Sequence, residues 1–337
     1  MTWREWLADN RRWVAAMLVL LVAVVAVVGV LGAKGLRTNL HRTGTVVDHS
    51  DTSTAAYRRP LYVDPSTQTA TAAADDARYA EIAAVPQAFW FTDWTTSATI
   101  EAKLGAYIGA ADAAGRLPVA VLYRIPDRDC GGYATGGAGD AAEYQAWIAG
   151  AAAAVRGRPV ILLLEPDSVG QLASCGADRV ALLRQAVDTL SATGAWLYLD
   201  GGHSNWWSPT VMAERLESIG IEKTRGFFTN VANYRSTAAE TTYAQKVLSA
   251  LARRGIEGLH YVIDTGRNGA TVPGDAHCNV PQARLGARPR MVFDGKLDGY
   301  LWIKAPAESD GRCHGGPTTG FWGALALSLL GQRSDLR

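Results

Sequence analysis

The chain has no charge imbalance: 33 Lys and Arg against 32 Asp and Glu leave a formal net charge of +1 over 337 residues. No basic excess points to nucleic acid, and no acidic tail points to a solvating segment. Cysteine is scarce, at four residues. Cys130, Cys175, Cys278 and Cys313 form no Cys-x-x-Cys pair, so neither a zinc ribbon nor a thioredoxin-type motif is supported. Histidine is sparse as well. His41, His49, His203, His260, His277 and His314 never stand in a His-x-His or His-Glu-x-x-His arrangement. The pattern therefore calls for no metal and no cofactor. Gly-x-Ser-x-Gly is missing, and nothing positions a Ser/His/Asp triad around Ser204. Gly131-Gly132 and Gly136-Gly137 are followed by no Lys-Ser/Thr, so they read as flexible loop rather than as an anion nest.

What is present begins at the N-terminus. Arg4, Arg11 and Arg12 precede an uncharged run over 13–33 that contains Met17-Leu18-Val19-Leu20-Leu21-Val22. Charge followed by an apolar run is the pattern of a secretory signal or a signal anchor. About 20 apolar residues suffice to cross the ~30 Å hydrocarbon layer as a helix. Leu31-Gly32-Ala33 is a mediocre cleavage site because Leu is bulky for its first position. The reading is an exported chain, held by an uncleaved transmembrane anchor with the basic flank (1–12) cytoplasmic, the alternative being a cleaved signal and a secreted protein. In an exported chain the four cysteines read as two structural disulfides, for which three pairings exist. Residues 34–76 lack periodicity and read as a tether that becomes ordered toward its end, near Tyr62-Val63-Asp64-Pro65. The body is expected over 77–337, with no second linker and no internal repeat.

Within that body, apolar runs recur at 87–91, 119–123, 160–164, 196–199, 227–231, 259–263 and 300–303. Helix-like segments lie between them, at 141–155, 178–192, 211–218 and 239–254. Alternation of this kind predicts an α/β fold with a parallel sheet. Seven units predict closure into a (β/α) barrel.

The polar residues after each run carry the functional signal. Asp127 and Asp129 follow Tyr123, and Glu165 and Asp167 follow Leu164. Asp200, His203 and Trp206 follow Leu199; Asn233 follows Val231. Asp264, Arg267 and Asn268 follow Ile263, and Lys304, Glu308 and Asp310 follow Ile303. One Asp after a strand is commonly a helix cap or turn former. A polar rim at successive strand ends is instead where a parallel barrel builds its active site. Several carboxylates beside aromatics and cations fit glycoside hydrolysis, which needs one protonated and one ionised carboxyl group. Asp167 follows Pro166 at the end of an apolar run, so desolvation is expected to raise its pKa. Asp129 stands between Arg128 and Cys130 and is expected to stay ionised. Asp264 has a plainer expected role, orienting Arg267 and Asn268.

Taken in order, Tyr123-Arg-Ile-Pro-Asp-Arg-Asp129-Cys130, Leu164-Glu-Pro-Asp167-Ser, Leu199-Asp200-Gly-Gly-His203-Ser-Asn-Trp206, Val262-Ile-Asp264-Thr-Gly-Arg-Asn268-Gly and Leu301-Trp-Ile-Lys304-Ala-Pro-Ala-Glu308-Ser-Asp310-Gly resemble glycoside hydrolase family 6. That family contains secreted cellulases acting on β-1,4-glucan with inversion. The resemblance covers about 86–330. It implies a distorted seven-stranded parallel β/α barrel and disulfides Cys130–Cys175 and Cys278–Cys313, each worth roughly 4 kcal/mol in the chain-entropy model. It implies Asp167 as general acid. Asp129 would raise the acid's pKa and take the proton through water, with Asp310 as the other base candidate. Tyr123 would line the subsite where the ring distorts, with Trp90 and Trp302 on the non-leaving side and Trp206 stacking the leaving-side glucose. Lys304 and Glu308 would hydrogen-bond hydroxyls, Asp200 would tune the electrostatics near the acid, and His203 and Asn233 complete the substrate-facing set.

Two departures from the pattern bear on substrate. His277 stands where family members usually carry a sugar-stacking Trp, and Thr135 stands where a Ser hydroxyl often helps hold water. The expected activity is inverting hydrolysis of β-1,4-glucan. Endo action follows from the compact interval between Cys278 and Cys313, where exo-acting relatives carry longer loops. The partners expected are a β-1,4-glucan or cello-oligosaccharide and, through the N-terminal helix, a membrane. The rival readings are a glycan-binding barrel that has lost turnover and a hydrolase of another cell-surface glucan.

Overall fold

A computed structural model describes residues 53–332, apart from Tyr133, Ala173, Gly176, Ala177 and Asp275. The expected anchor over 13–33 lies outside the described residues. Among those described, no helix is long and apolar enough to cross a membrane.

Seven strands run parallel in chain order: β1 (Phe89–Phe91), β2 (Val119–Leu122), β3 (Ile161–Leu164), β4 (Trp196–Asp200), β5 (Gly226–Thr229), β6 (His260–Asp264) and β8 (Leu297–Leu301). Each lies within or overlaps one of the apolar runs. β2 and β3 are buried along their whole length, as parallel strands covered on both faces must be. Their side chains alternate between two cores. Leu162 and Leu164 face a core shared with the helices, while Ile161 and Leu163 point into the concave side with Tyr123, Tyr198 and Phe228. The covering helices include α4 (Ile100–Ala113), α5 (Ala141–Val155), α6 (Arg179–Ser191), α7 (Pro209–Ser218) and α8 (Thr237–Arg253). Several open on side-chain caps: Asp140 accepts from the Glu143 amide, Ser208 from Val211 and Ser236 from Ala239.

Two expectations need correction. The sheet is a curled, mostly parallel eight-stranded half-barrel rather than a closed seven-stranded barrel. The extra strand, β7 (Arg290–Asp294), pairs antiparallel with β8 and forms one edge, with β1 as the other. With polar ends and a half-exposed face, β7 presents no apolar run in the sequence. Across the gap, the Ala88 amide donates to the Trp302 carbonyl at 2.9 Å and Trp90 Nε1 to the Ile303 carbonyl at 2.7 Å.

The folded body also begins before residue 77. Helices α1 (Ser53–Tyr57), α2 (Gln68–Asp75) and α3 (Ala80–Ala83) precede β1. Tyr57 is buried and stacks on Trp196 with ring centroids 3.9 Å apart, while its hydroxyl accepts from the Trp196 amide at 3.1 Å. Leu61 pairs with Leu117 as a parallel bridge. This segment thus plugs the end of the half-barrel where the strands start. Order near Tyr62-Val63-Asp64-Pro65 is as expected, and the earlier start at Ser53 rests on single aromatics rather than on a periodic run.

Candidate active site

The rim residues after β2 and β3 are held in strained backbone. Asp127, Asp129, Cys130, Glu165 and Asp167 all have positive φ, between 45° and 68°. Non-glycine residues in that region cluster where surrounding structure over-determines the chain. Here the supports are visible. Arg128, which is buried, donates to the carbonyls of Tyr123 and Ala134, pairs with Asp93 at 3.0 Å and lies over the Tyr123 ring at 4.5 Å. It therefore does not neutralise Asp129, contrary to what adjacency in sequence implies. Asp129 accepts instead from Gln171 Nε2 at 2.7 Å and from the Ala134 amide at 2.8 Å. Nor are Gly136 and Gly137 loose. The Gly136 carbonyl accepts from the Arg128 amide, the Gly137 amide donates to Asp93, and a Cβ on Gly137 would collide with the Ile125 carbonyl.

Glu165 is wholly buried and accepts the Arg124 amide with both oxygens, at 2.9 and 3.0 Å, which ties the end of β3 to the end of β2. Burial pushes its pKa up to about 7, against the pull of those amides. Asp167 stands two residues on. Burial raises its pKa well above the ordinary carboxylate range, and the negative charges of Asp200 and Asp129 add to the effect, with Lys304 opposing. Asp200 at the end of β4 is buried, accepts from the amides of Gly202 (2.9 Å) and Gly170 (3.3 Å), and is also raised by burial.

Beyond β4, His203 stacks on Trp206 with centroids 5.7 Å apart. Burial, then the Arg235 charge, lowers the His203 pKa to about 4, so its ring is neutral at physiological pH. Gly170 lies flat against Trp206, with no room for a Cβ. Asn233, after β5, donates its side-chain amide to the Val231 carbonyl.

At the opposite end of the strand order, Asp310 is clamped. Arg267 Nη1 donates to both carboxylate oxygens at 2.7 and 2.6 Å, the Tyr234 hydroxyl to one at 3.2 Å, and the Asn279 amide to the same oxygen at 2.9 Å. Burial alone would raise this group, but the Arg267 and Lys304 charges override it and hold its pKa below the usual value. Lys304 also pairs with Glu308 at 3.3 Å. Asp264 caps the turn after β6, accepting from the amides of Gly266 and Lys304 rather than from Arg267 or Asn268. Tyr234, Asn279 and Gln171 were invisible to motif reasoning, because each lies outside the strand-end rim or is reached only through the fold.

Trp90 and Tyr123 meet edge to face at 5.3 Å, with Trp90 half-exposed. Trp302 is different, and its expected place on the substrate surface is corrected. It is only 2% exposed, packs with Ile82, Val85, Ala307 and Ala326, and donates Nε1 to the Ala287 carbonyl. The disulfides Cys130–Cys175 and Cys278–Cys313 are both formed, with Cα separations of 5.2 and 6.2 Å. The first joins the loop after β2 to the loop after β3.

Residues 52–322 match the sequence pattern of Glycosyl hydrolases family 6. The chain belongs to that family. Endoglucanase A of Cellulomonas fimi is 40% identical over 278 residues, which cover 80% of this chain and 60% of that protein. Endoglucanase 1 of Streptomyces halstedii is 38% identical, with 75% and 82% covered. A solved endoglucanase Cel6 from Mycobacterium tuberculosis, in complex with methyl-cellobiosyl-4-deoxy-4-thio-β-D-cellobioside, superposes with a TM-score of 0.77 at 38% identity, covering 81% of this chain and 97% of that one. This family 6 chain thus spans about three fifths of the Cellulomonas fimi relative's length. Of its departures, Thr135 keeps a hydroxyl in place, donating to the Gly132 carbonyl at 2.6 Å.

Proposed function

We propose that the chain is an endo-acting β-1,4-glucan hydrolase that inverts the anomeric centre, exported and held at a membrane by its N-terminal run. One observation carries the chemistry. Asp167 is a carboxyl group kept protonated by burial and by the negative charges of Asp200 and Asp129, at a rim that also holds Asp310, whose charged form is favoured by Arg267 and Lys304. A protonated acid beside an ionised partner is the requirement for cleaving a glycosidic bond.

Asp167 donates its proton to the leaving oxygen. As the glycosidic bond breaks, a water near Thr135 attacks the anomeric carbon, and Asp129, fixed by Gln171 and Ala134, accepts the proton this water releases. Asp310 is the weaker candidate, because Arg267, Tyr234 and Asn279 already fill its acceptor positions and stabilise its charged form. Trp90 and Tyr123 bound the non-leaving side, and Trp206 on His203 forms the leaving-side platform. Lys304 and Glu308 present polar atoms to sugar hydroxyls, and Asn233 lies at the same rim. The two disulfides fit an oxidising, extracytoplasmic location. The names borne by the relatives support endo action on glucan.

The test is proton NMR of fresh hydrolysate from a soluble β-1,4-glucan. The α-anomer should appear first, with solution viscosity falling faster than reducing ends accumulate. A β-anomer first would refute inversion, and release of short sugars without viscosity loss would refute endo action.

A further inference from the structure

Far from the carboxylate rim, a groove of about 580 Å³ opens where β1 and β2 begin. Its walls come from the segment before β1, the turn before β2 and the start of β7. Four arginines line it, Arg58, Arg59, Arg116 and Arg290, and no Asp or Glu does. Of these, only Arg59 forms an ion pair with a described residue, reaching Asp112 at 3.3 Å, and Asp112 is shared with Arg158. Arg58 and Arg290 are steadied on aromatic rings, 4.6 Å over Phe293 and 5.3 Å over Tyr300, with their charge unspent. The remaining lining is largely apolar and includes Val63, which at 37% is one of two exposed large hydrophobic residues among those described.

We propose that this groove binds the phosphodiester headgroup of an anionic membrane lipid. Guanidinium groups match phosphate oxygens in pairs, and an uncompensated set of them recognises that chemistry. The apolar lining favours an amphiphile over a free inorganic anion. The near-zero net charge of the whole chain favours a single headgroup over a nucleic acid, which would need an extended basic surface. Position agrees: the groove is built in part from residues 58–63, close in sequence to the apolar run over 13–33. Basic residues near a membrane anchor are drawn to anionic lipid surfaces. Bound this way, the fold would turn its strand-start end to the membrane and its carboxylate rim outward.

Amide hydrogen exchange of the full chain tests this, mixed with phosphatidylcholine vesicles that do or do not contain phosphatidylglycerol. Exchange over 58–63 and 114–117 should slow by roughly fivefold or more only when phosphatidylglycerol is present. The combined change Arg116→Glu and Arg290→Glu should abolish the slowing and leave hydrolysis of a soluble glucan unchanged, which also reports folding. Should that variant lose activity, Arg290→Gln alone should reduce the slowing. The readout sits at the groove and does not depend on how the N-terminal run behaves. Equal slowing by pure phosphatidylcholine, slowing by inorganic phosphate without lipid, slowing that survives both charge changes, or none at all would each overturn the proposal.

Discussion

Asp167 and Asp310 are the same residue type, at the same end of one half-barrel, and both lose solvent in the fold. Their titration is driven in opposite directions. Around Asp167 the neighbours are Asp200 and Asp129, so burial and like charge act together to keep its proton on. Around Asp310 stand Arg267, Tyr234 and an amide, and the cation overrides burial to keep the proton off. Burial alone therefore does not assign an acid or a base; the sign of the nearest charge does. The two sites also carry opposite pH dependences. A raised carboxyl favours the protonated fold, so its contribution to stability fades as pH rises above the unfolded value. The lowered Asp310 contributes stability above its unfolded value and loses it as pH falls.

Removing the proposed acid breaks the comparison most directly. Asp167→Asn should lower kcat on soluble β-1,4-glucan by about 10²–10⁴-fold, the usual share of a general acid, with oligosaccharide binding retained by calorimetry. Activity near that of the unaltered protein would dismiss Asp167 as the donor. The second break is on the other side. Arg267 is 2% exposed, and Arg267→Met leaves the Asp310 charge without its cation. Urea unfolding should show a loss of about 3–5 kcal/mol, the cost of orphaning one half of a buried pair. Adding Asp310→Asn to Arg267→Met should recover part of that loss, because the uncompensated charge is gone. A double variant no more stable than the single one would mean that packing, rather than charge, is what Arg267 supplies.

Much of this contrast was legible in sequence, for a physical reason. Parallel strands buried on both faces must be continuous apolar runs, and the rim must follow them, so Asp129, Asp167, Asp200 and Asp310 could be placed at strand ends. Which charge meets which carboxylate could not be read. Arg128 adjoins Asp129 in the chain, yet the positive φ of the turn carries it to Asp93 and the Tyr123 carbonyl. Arg267 reaches Asp310 across 43 positions, and Gln171 reaches Asp129 across 42. Trp302 shows the converse limit: one residue past a strand, the same aromatic can face sugar or core, and here α3 and the C-terminal α9 (Gly323–Leu329) cover it. The edge strand β7 and the plug around Tyr57 were missed because neither needs an apolar run to be held.

The smallest expected effect sharpens the comparison most finely. Asp200 is buried and forms no ion pair with a described residue, and its charge is one of the two that hold the proton on Asp167. Asp200→Asn removes that charge and keeps one oxygen to accept from Gly202 or Gly170. With less negative potential nearby, Asp167 releases its proton at lower pH. Activity that needs the protonated acid is then lost earlier as pH rises, and the alkaline limb of kcat/KM should move down by on the order of one pH unit. Asp129→Asn should move the same limb in the same direction, but it also removes the proposed proton acceptor, so the rate should fall at every pH. If Asp200→Asn leaves the limb in place, burial and the Asp129 charge suffice to hold the Asp167 proton. If Asp129→Asn shifts the limb without lowering the plateau, Asp129 acts on the acid only through its charge, and the proton from water must go elsewhere.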